Sequence, residues 1–162
     1  MKLELKNIKH SEFASHETFC FEANLYVNGK PFAHVSNDGQ GSADYLYRDD
    51  RFLDGEAWSK CYALVKIHCA DKFRWTMGDG WIEGSIETAC HELMTDYLIR
   101  KDLNKALKEP CYLDGNQIVS YNVSSKRPNI FDQLRRQLKK PELVFLNELP
   151  KDEAFKMLKE VA

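Results

Sequence analysis

The sequence predicts an α+β fold in which a mainly antiparallel sheet, built from two β-hairpins plus edge strands, is packed by about four amphipathic helices. Residues 19–28 alternate strictly between apolar and polar side chains, which is typical of a half-buried antiparallel strand. Two turn signals, Asn28-Gly29 and Asp114-Gly115-Asn116, directly follow apolar segments. Longer segments repeat apolar residues at spacings of three and four. Because the strands cluster in hairpins instead of alternating with helices, an α+β arrangement is favoured.

The N-terminal part is predicted to contain three strands. Leu3, Leu5 and Ile8 suggest the first. Segments 19–28 and 30–36 follow, joined at Asn28-Gly29, where both residue types tolerate the positive φ of a type I′ turn. A turn-rich loop at 37–42 ends the third strand.

The middle of the chain is predicted to be helical. A helix over 51–70 would turn one stripe inward, consisting of Ala57, Cys61, Leu64, Val65 and His68. A short strand at 73–77 and a turn at 78–80 come next. The longest helix covers 85–108, with Ser85 as its N-cap and Pro110 beyond its end.

The C-terminal part is predicted to contain a second hairpin and two shorter helices. The hairpin covers 111–121 around Asp114-Gly115. A short helix covers 128–138, and the apolar run at 143–146 reads as a buried strand. Pro150 opens a last helix whose inward residues include Val161.

Composition places the chain among ordinary globular proteins. It has 162 residues, 43% hydrophobic and 30% charged, which fits a single domain over 1–162 with a soft boundary near 78–84. A net charge of −2 excludes a strongly basic nucleic-acid coat protein and a strongly acidic DNA mimic. The N-terminus has no apolar signal-peptide core, and no apolar run approaches the ~20 residues that span a bilayer. We therefore expect a cytoplasmic protein without a membrane partner.

The five cysteines are an odd number and form no C-x-x-C pair. In a reducing compartment, such cysteines are most simply small buried apolar groups.

The segment 5–41 resembles a group of small proteins, without an established activity, that are encoded by bacteriophages, prophages and related bacterial elements. The resemblance is carried by Asn7-Ile8-Lys9-His10, Phe13-Ala14-Ser15, Glu17-Thr18, Cys20-Phe21, Tyr26-Val27-Asn28-Gly29-Lys30, Val35-Ser36-Asn37-Asp38-Gly39 and Gly41. A weaker likeness continues over 103–148, whereas 45–84 departs from the group. The resemblance implies a phage or mobile-element setting, in the cytoplasm of the host cell, and no mechanism.

Two sets of residues are candidates for metal binding or catalysis. His68-Cys69 and Cys90-His91 contain the ligand types that zinc prefers. Adjacent helical residues point about 100° apart, however, so buried cysteines beside histidines are favoured over a metal site, and no cofactor is predicted. Cys20 and His34 would be the first pair to test for a cysteine nucleophile, although no sharp turn or helix N-terminus presents the sulfur.

Two further segments are candidates for binding. The loop 37–44 is interpreted as a strand-ending turn that is also a place for a partner to dock, through Asn37, Asp38, Gln40 and Asp44. The stretch 100–140 is basic, and its cations suit contact with nucleic acid or simply a solvated helix surface. The candidate cations are Arg100, Lys101, Lys126, Arg127, Arg135, Arg136, Lys139 and Lys140.

Three hypotheses for function follow. The first is a non-enzymatic protein of a phage or mobile element that binds a host protein complex and inhibits a defence system such as a CRISPR nuclease complex. The second is an accessory protein that binds nucleic acid through the 100–140 stretch. The third is a small enzyme whose site is assembled from separated residues, because no recognisable catalytic motif is present. The oligomeric state is left open.

Overall fold

A computed structural model describes residues 1–52, 54–77 and 80–161 of the protein. Within them, it confirms the α+β fold: four helices accompany a four-stranded antiparallel sheet and two smaller hairpins. Of the turn predicted at 78–80, Gly78 and Asp79 lie outside the described residues. The strands are β1 (Leu3–His10), β2 (Cys20–Val27), β3 (Lys30–Asp38), β4 (Tyr45–Arg48), β5 (Trp75–Met77), β6 (Gly80–Ile82), β7 (Cys111–Asp114) and β8 (Gln117–Ser120). The helices are α1 (Gly55–Lys72), α2 (Ile86–Ala106), α3 (Ile130–Leu138) and α4 (Lys151–Lys159), with 3₁₀ turns at Glu12–Ala14 and Leu146–Glu148.

The chain groups into two compact units, here called unit 1 (1–94) and unit 2 (95–162). The boundary between them lies within α2, between Met94 and Thr95. The single domain over 1–162 and the soft boundary near 78–84 stay predictions.

Unit 1 is built on the antiparallel sheet β1-β2-β3-β4, in that order. β2 and β3 are joined at Asn28-Gly29, whose φ angles of 49° and 79° confirm the turn that the sequence predicted. The inner face of the sheet is apolar and buried, with Leu25, Ala33 and Val35 almost fully enclosed. Alternation along each strand therefore leaves a second, polar face outside.

The side of α1 that faces the sheet differs from the side that the sequence predicted. Trp58 and Tyr62 stack on Phe32, and Val65 and Cys69 are buried. These helix residues follow each other at spacings of four, three and four, so they share one side of the helix. Leu64 was predicted to point inward, but it is exposed. The two large aromatic rings that stack on β3 determine which side of the helix faces the sheet.

Unit 2 is organised around the β7–β8 hairpin, which separates two apolar clusters. Cys111 of β7 joins the cluster formed with α2 and α4, which contains Leu103 and Phe155. The next residue, Tyr112, joins the cluster formed with α3, which contains Leu134 and Phe145. Successive strand residues point to opposite faces, so the hairpin has α2 and α4 on one side and α3 on the other.

Two predictions for the C-terminal part are wrong. The run 143–146 is not a strand: it leads into the 3₁₀ turn Leu146–Glu148, although Phe145 and Leu146 are buried as expected. Asn147 in that turn accepts a hydrogen bond from the Cys111 N–H (2.9 Å) and donates to the Glu109 carbonyl (2.9 Å). These bonds tie the segment to the hairpin without a strand ladder. Val161 follows the end of α4 and is exposed.

Candidate functional site

The buried side chain of Asn37 holds the 37–44 loop in place. Its Oδ1 accepts hydrogen bonds from Thr18 Oγ1 (2.7 Å) and the Gly39 N–H (2.8 Å). Its Nδ2 donates to the Ser42 carbonyl (2.8 Å) and to Asp44 Oδ1 (2.9 Å). Asn37 thus joins the loop to the segment before β2. Because this amide is buried and all four of its hydrogen bonds are made within the protein, it holds the loop in its conformation.

Gly39 is the point where the two segments meet. Its carbonyl accepts hydrogen bonds from the His16 and Glu17 N–H groups, each at 3.0 Å. Its φ of 83° lies in the left-handed region, and a Cβ at this position would lie 2.8 Å from Cys20 Cβ. Only glycine meets both the backbone conformation and the close approach.

The exposed residues of the loop form a turn closed by Asp38. Asp38 Oδ1 accepts from the Gln40 N–H (3.1 Å) and from Ser42 Oγ (3.0 Å). The interpretation of 37–44 as a strand-ending turn, with Asn and Asp bonded to nearby backbone, is therefore confirmed. Asp38 and Gln40 are exposed and Asp44 is half-buried. Partner binding by the four predicted residues, Asn37, Asp38, Gln40 and Asp44, stays a prediction.

Asp44 and Glu87 line two adjoining cavities in unit 1. One, of about 330 Å³, has Val35, Ile86 and Cys90 among its lining residues. The other, of about 220 Å³, reaches Phe19 and His91, whose rings stack at 4.8 Å. Burial raises the pKa of the Asp44 carboxyl, the Asn37 hydrogen bond opposes that rise, and the charge of Glu87 adds to it. The arrangement places the half-buried carboxyl group of Asp44 near the buried Cys90 thiol, whose pKa is raised by burial and by the charge of Asp44.

The pair Cys20 and His34 is not brought together. In the sheet register, Cys20 is opposite Asp38, whereas His34 is opposite Asn24. Asp38 and His34 are four positions apart along β3, a distance of about 13 Å. His34 Nε2 instead lies 3.9 Å from Asp49 Oδ2. The cysteine-nucleophile hypothesis therefore loses the base that the sequence suggested for it.

The set His68, Cys69, Cys90 and His91 does not converge on one point. Cys69 and Cys90 are buried, and burial raises the pKa of both thiols, that of Cys69 to about 11. The His68 ring meets the edge of Phe73, and burial lowers its pKa. His91 is on the surface, stacked on Phe19. Within residues 1–52, 54–77 and 80–161, no group of three or more His, Cys, Asp or Glu side chains is arranged to hold a metal ion.

The candidate cations of unit 2 do not form one continuous surface. Arg100 and Lys101 are on α2, on one side of the β7–β8 hairpin, and Arg136 is on α3, on the other side. Arg100 pairs with Asp152 at 3.3 Å, and its guanidinium lies 3.8 Å from the Phe155 ring centre.

Arg135 is half-buried, and its guanidinium binds other groups of unit 2. It donates to the Leu143 carbonyl (2.9 Å), pairs with Asp132 (3.1 Å) and with Glu148, and lies over the Phe145 ring. The remaining candidates are exposed, and no ion pair within the described part of the chain involves them: Lys101, Lys126, Arg127, Arg136, Lys139 and Lys140.

Sequence reasoning missed an exposed apolar surface in unit 1, formed by Leu64, Ile67 and Trp81 and called here the α1 apolar surface. Ile67 and Trp81 line one groove and are 68% and 64% exposed. Leu64 lies one turn before Ile67 on α1. The available signal was that α1 carries apolar residues on more than one side, more than a single buried stripe needs.

No protein-family model, no curated protein and no solved structure matches this chain. Among the described residues, no helix is both long and apolar enough to cross a lipid bilayer.

Proposed function

We propose that this chain is an accessory protein of a phage or mobile element that acts by binding another protein, and that its target belongs to a host defence system such as a CRISPR nuclease complex. The α1 apolar surface is the observation that carries the binding proposal. The resemblance of 5–41 to phage and prophage proteins supports the setting.

The residue types of this surface are those found at the centre of protein–protein interfaces. Single exposed apolar residues are common on monomeric proteins, but adjoining large ones are typical of interaction sites. Arg74 lies 4.8 Å from the Trp81 ring centre and is held near Asp71 (3.9 Å). Tryptophan and arginine are among the residues that contribute most to protein–protein affinity.

The surroundings of the surface also suit a protein partner. Ile67 and Trp81 share a groove of about 610 Å³ with Asp71, Arg74 and Glu83. An apolar centre with charged residues around it is the usual arrangement of a protein interface, because the rim stays solvated while the centre excludes water.

The first test is capture of a target from a nuclease-treated host lysate by the tagged protein. We expect one discrete protein complex to be retained by the wild type, and to be lost with Trp81→Ala and Ile67→Glu. Phe13→Ala is the matched control, since Phe13 is a fully exposed aromatic residue in the 3₁₀ turn Glu12–Ala14. Capture that persists in both surface variants would rule out this surface.

The second test addresses the inhibitory role. In a bacterium whose CRISPR nuclease restricts a phage, expression of the protein should restore plating of that phage, and Trp81→Ala should abolish the restoration. Unchanged plating across several CRISPR types would reject CRISPR nuclease complexes as the target. The proposal that the protein binds another protein would then be decided by the capture test alone.

A second candidate function is nucleic-acid binding by the basic end of α3. Lys139 has a left-handed backbone (φ 57°) that ends the helix, and Lys140 follows it. Arg136 lies one turn before Lys140, so three exposed cations adjoin. Phosphate contacts of this kind give affinity that falls steeply with salt, and charge reversal at Arg136 and Lys140 should abolish it. Binding that is insensitive to salt would exclude this candidate.

A further inference from the structure

The outer face of the four-stranded sheet carries two rows of side chains, each crossing all four strands. In the first row, Tyr47 of β4 is opposite His34, which is opposite Asn24, which is opposite Lys6 of β1. In the second row, Tyr45 is followed in the same way by Ser36, Glu22 and Lys9. We call these eight residues the outer sheet face.

The aromatic side chains of this face are presented to solvent. Tyr47 and Tyr45 are 62% and 52% exposed. They are two residues apart on one strand, so their rings lie on the same face of the sheet. Within the described residues, neither ring is in contact with another ring. Two such rings, side by side on an open sheet, can each accept a stacked planar group.

Polar groups that donate and accept hydrogen bonds lie beside the rings. His34, whose side chain is about half exposed, Asn24 and Ser36 occupy the two central strands. Asparagine, serine and histidine side chains combine donor and acceptor atoms, which is what the edges of unpaired bases require.

The outer sheet face carries one net positive charge, from Lys6, Lys9 and Glu22. The row that contains Tyr47 has Lys6 at its end, with its ammonium 4.4 Å from the Tyr26 ring centre. The Asp49 carboxylate, 3.9 Å from His34 Nε2, is paired with Arg51. In the other row, Glu22 is neutralised by an ion pair with Lys9 at 3.2 Å. Stacking rings, base-edge partners and a cation at the margin together resemble the way sheet surfaces bind single strands, whereas a duplex hides the base faces that would stack.

We propose that the outer sheet face binds single-stranded nucleic acid. Tyr45 and Tyr47 stack on two bases, His34 and Asn24 contact base edges, and Lys6 contacts a phosphate. The outer sheet face shares no residue with the α1 apolar surface. It also uses residues other than the cations of α3.

The experiment is fluorescence anisotropy of labelled single-stranded DNA and RNA of about 12 nucleotides, with a duplex of the same sequence for comparison. We expect both single strands to bind more tightly than the duplex, and the tighter of the two identifies the natural ligand. Tyr45→Ala and Tyr47→Ala should each weaken binding by about fivefold or more, because one stacked base is lost. Tyr47→Phe keeps the ring and should stay within about twofold of the wild type.

Further variants distinguish binding by the outer sheet face from binding by the other surfaces. Lys6→Ala should lower the slope of log affinity against log salt by about one, as expected for one lost phosphate contact. Phe13→Ala and Trp81→Ala should leave binding unchanged, and melting curves should show that every variant is folded. Three results would overturn the proposal: no single-strand binding at low salt, binding that survives the Tyr45→Ala/Tyr47→Ala double variant, or binding lost only with charge reversal at Arg136 and Lys140.

Discussion

At the scale of single residues, the buried amide of Asn37 explains why a turn-rich loop has a defined conformation. Four hydrogen bonds meet at this side chain, and their partners come from both ends of the loop and from Thr18. Replacing a side chain of this kind leaves several buried donors and acceptors without partners, which costs more than the bonds themselves contribute. The hydrogen bonds of Asn37 therefore fix the conformation of the loop, and Asp38 and Gln40 are exposed on it.

The Asp49 carboxylate is a second residue whose surroundings have a measurable consequence. It is almost fully buried and accepts hydrogen bonds from Arg51 Nε (2.8 Å), Nη2 (2.6 Å) and N–H (2.9 Å). These bonds lower the pKa of the Asp49 carboxyl from 3.8 to about 2. A carboxyl group whose pKa is depressed on folding stabilises the folded state above its unfolded pKa, and this contribution is lost as the pH falls through the folded pKa.

We therefore expect Asp49→Asn to lower the free energy of unfolding at pH 7, and the difference from the wild type to shrink as the pH falls from about 5 to about 2. Urea unfolding followed by circular dichroism at several pH values measures it. Asp50→Asn is the matched control, because Asp50 is an exposed neighbour. A difference between Asp49→Asn and wild type that stays constant over this pH range would contradict the role given to the Arg51 hydrogen bonds.

At the scale of elements, the sequence predicted those whose signal is local. The two-residue loops Asn28-Gly29 and Gly115-Asn116 consist of residue types that suit tight turns, and both hairpins are present. The segment 143–146 has only an apolar run, which indicates burial but not conformation. The 3₁₀ turn Leu146–Glu148, and the hydrogen bonds that join its Asn147 side chain to Cys111 and Glu109, could not be read from that run. Which side of α1 faces the sheet depends on stacking against Phe32, a residue distant in sequence. The spacing of apolar residues alone therefore led to the wrong prediction that Leu64 points inward.

α1 begins with a cap whose contribution can be measured. Asp54 has an extended backbone, and its Oδ1 accepts hydrogen bonds from the Glu56 N–H (2.9 Å) and the Ala57 N–H (3.0 Å). Asp54→Ala should lower the free energy of unfolding by about 1 kcal/mol, because the N–H groups at the helix start lose their acceptor. Asp54→Asn keeps an acceptor and should recover most of that loss. Equal destabilisation by both substitutions, measured by urea unfolding, would assign the effect to charge instead of hydrogen bonding.

At the scale of the whole molecule, candidate binding residues close in sequence proved to be separated by the fold. The stretch 100–140 looked like one basic surface, but the β7–β8 hairpin lies between its two helical parts, and Arg100 and Arg135 have acidic partners in unit 2. Conversely, the outer sheet face draws each row from four strands, and Ile67 meets Trp81 only through folding. Charge and composition can be read from the sequence alone. Which residues become neighbours across strands and helices can be read only from the strand register and the packing of the helices.

The reactivity of the five cysteine thiols reports on the packing of both units. Cys69, Cys90 and Cys111 are buried, and burial raises the pKa of each thiol, to about 11 for Cys69 and Cys111. Cys20 and Cys61 are partly exposed, and burial also raises the pKa of Cys61. Because the thiolate is the reacting species, we expect an aromatic disulfide reagent at pH 8 to modify at most two thiols of the folded protein, Cys20 faster than Cys61, and all five in denaturant. Cys20→Ser should remove the fast phase. Rapid modification of three or more thiols in the folded protein would mean that the apolar clusters of the two units are not closed as described.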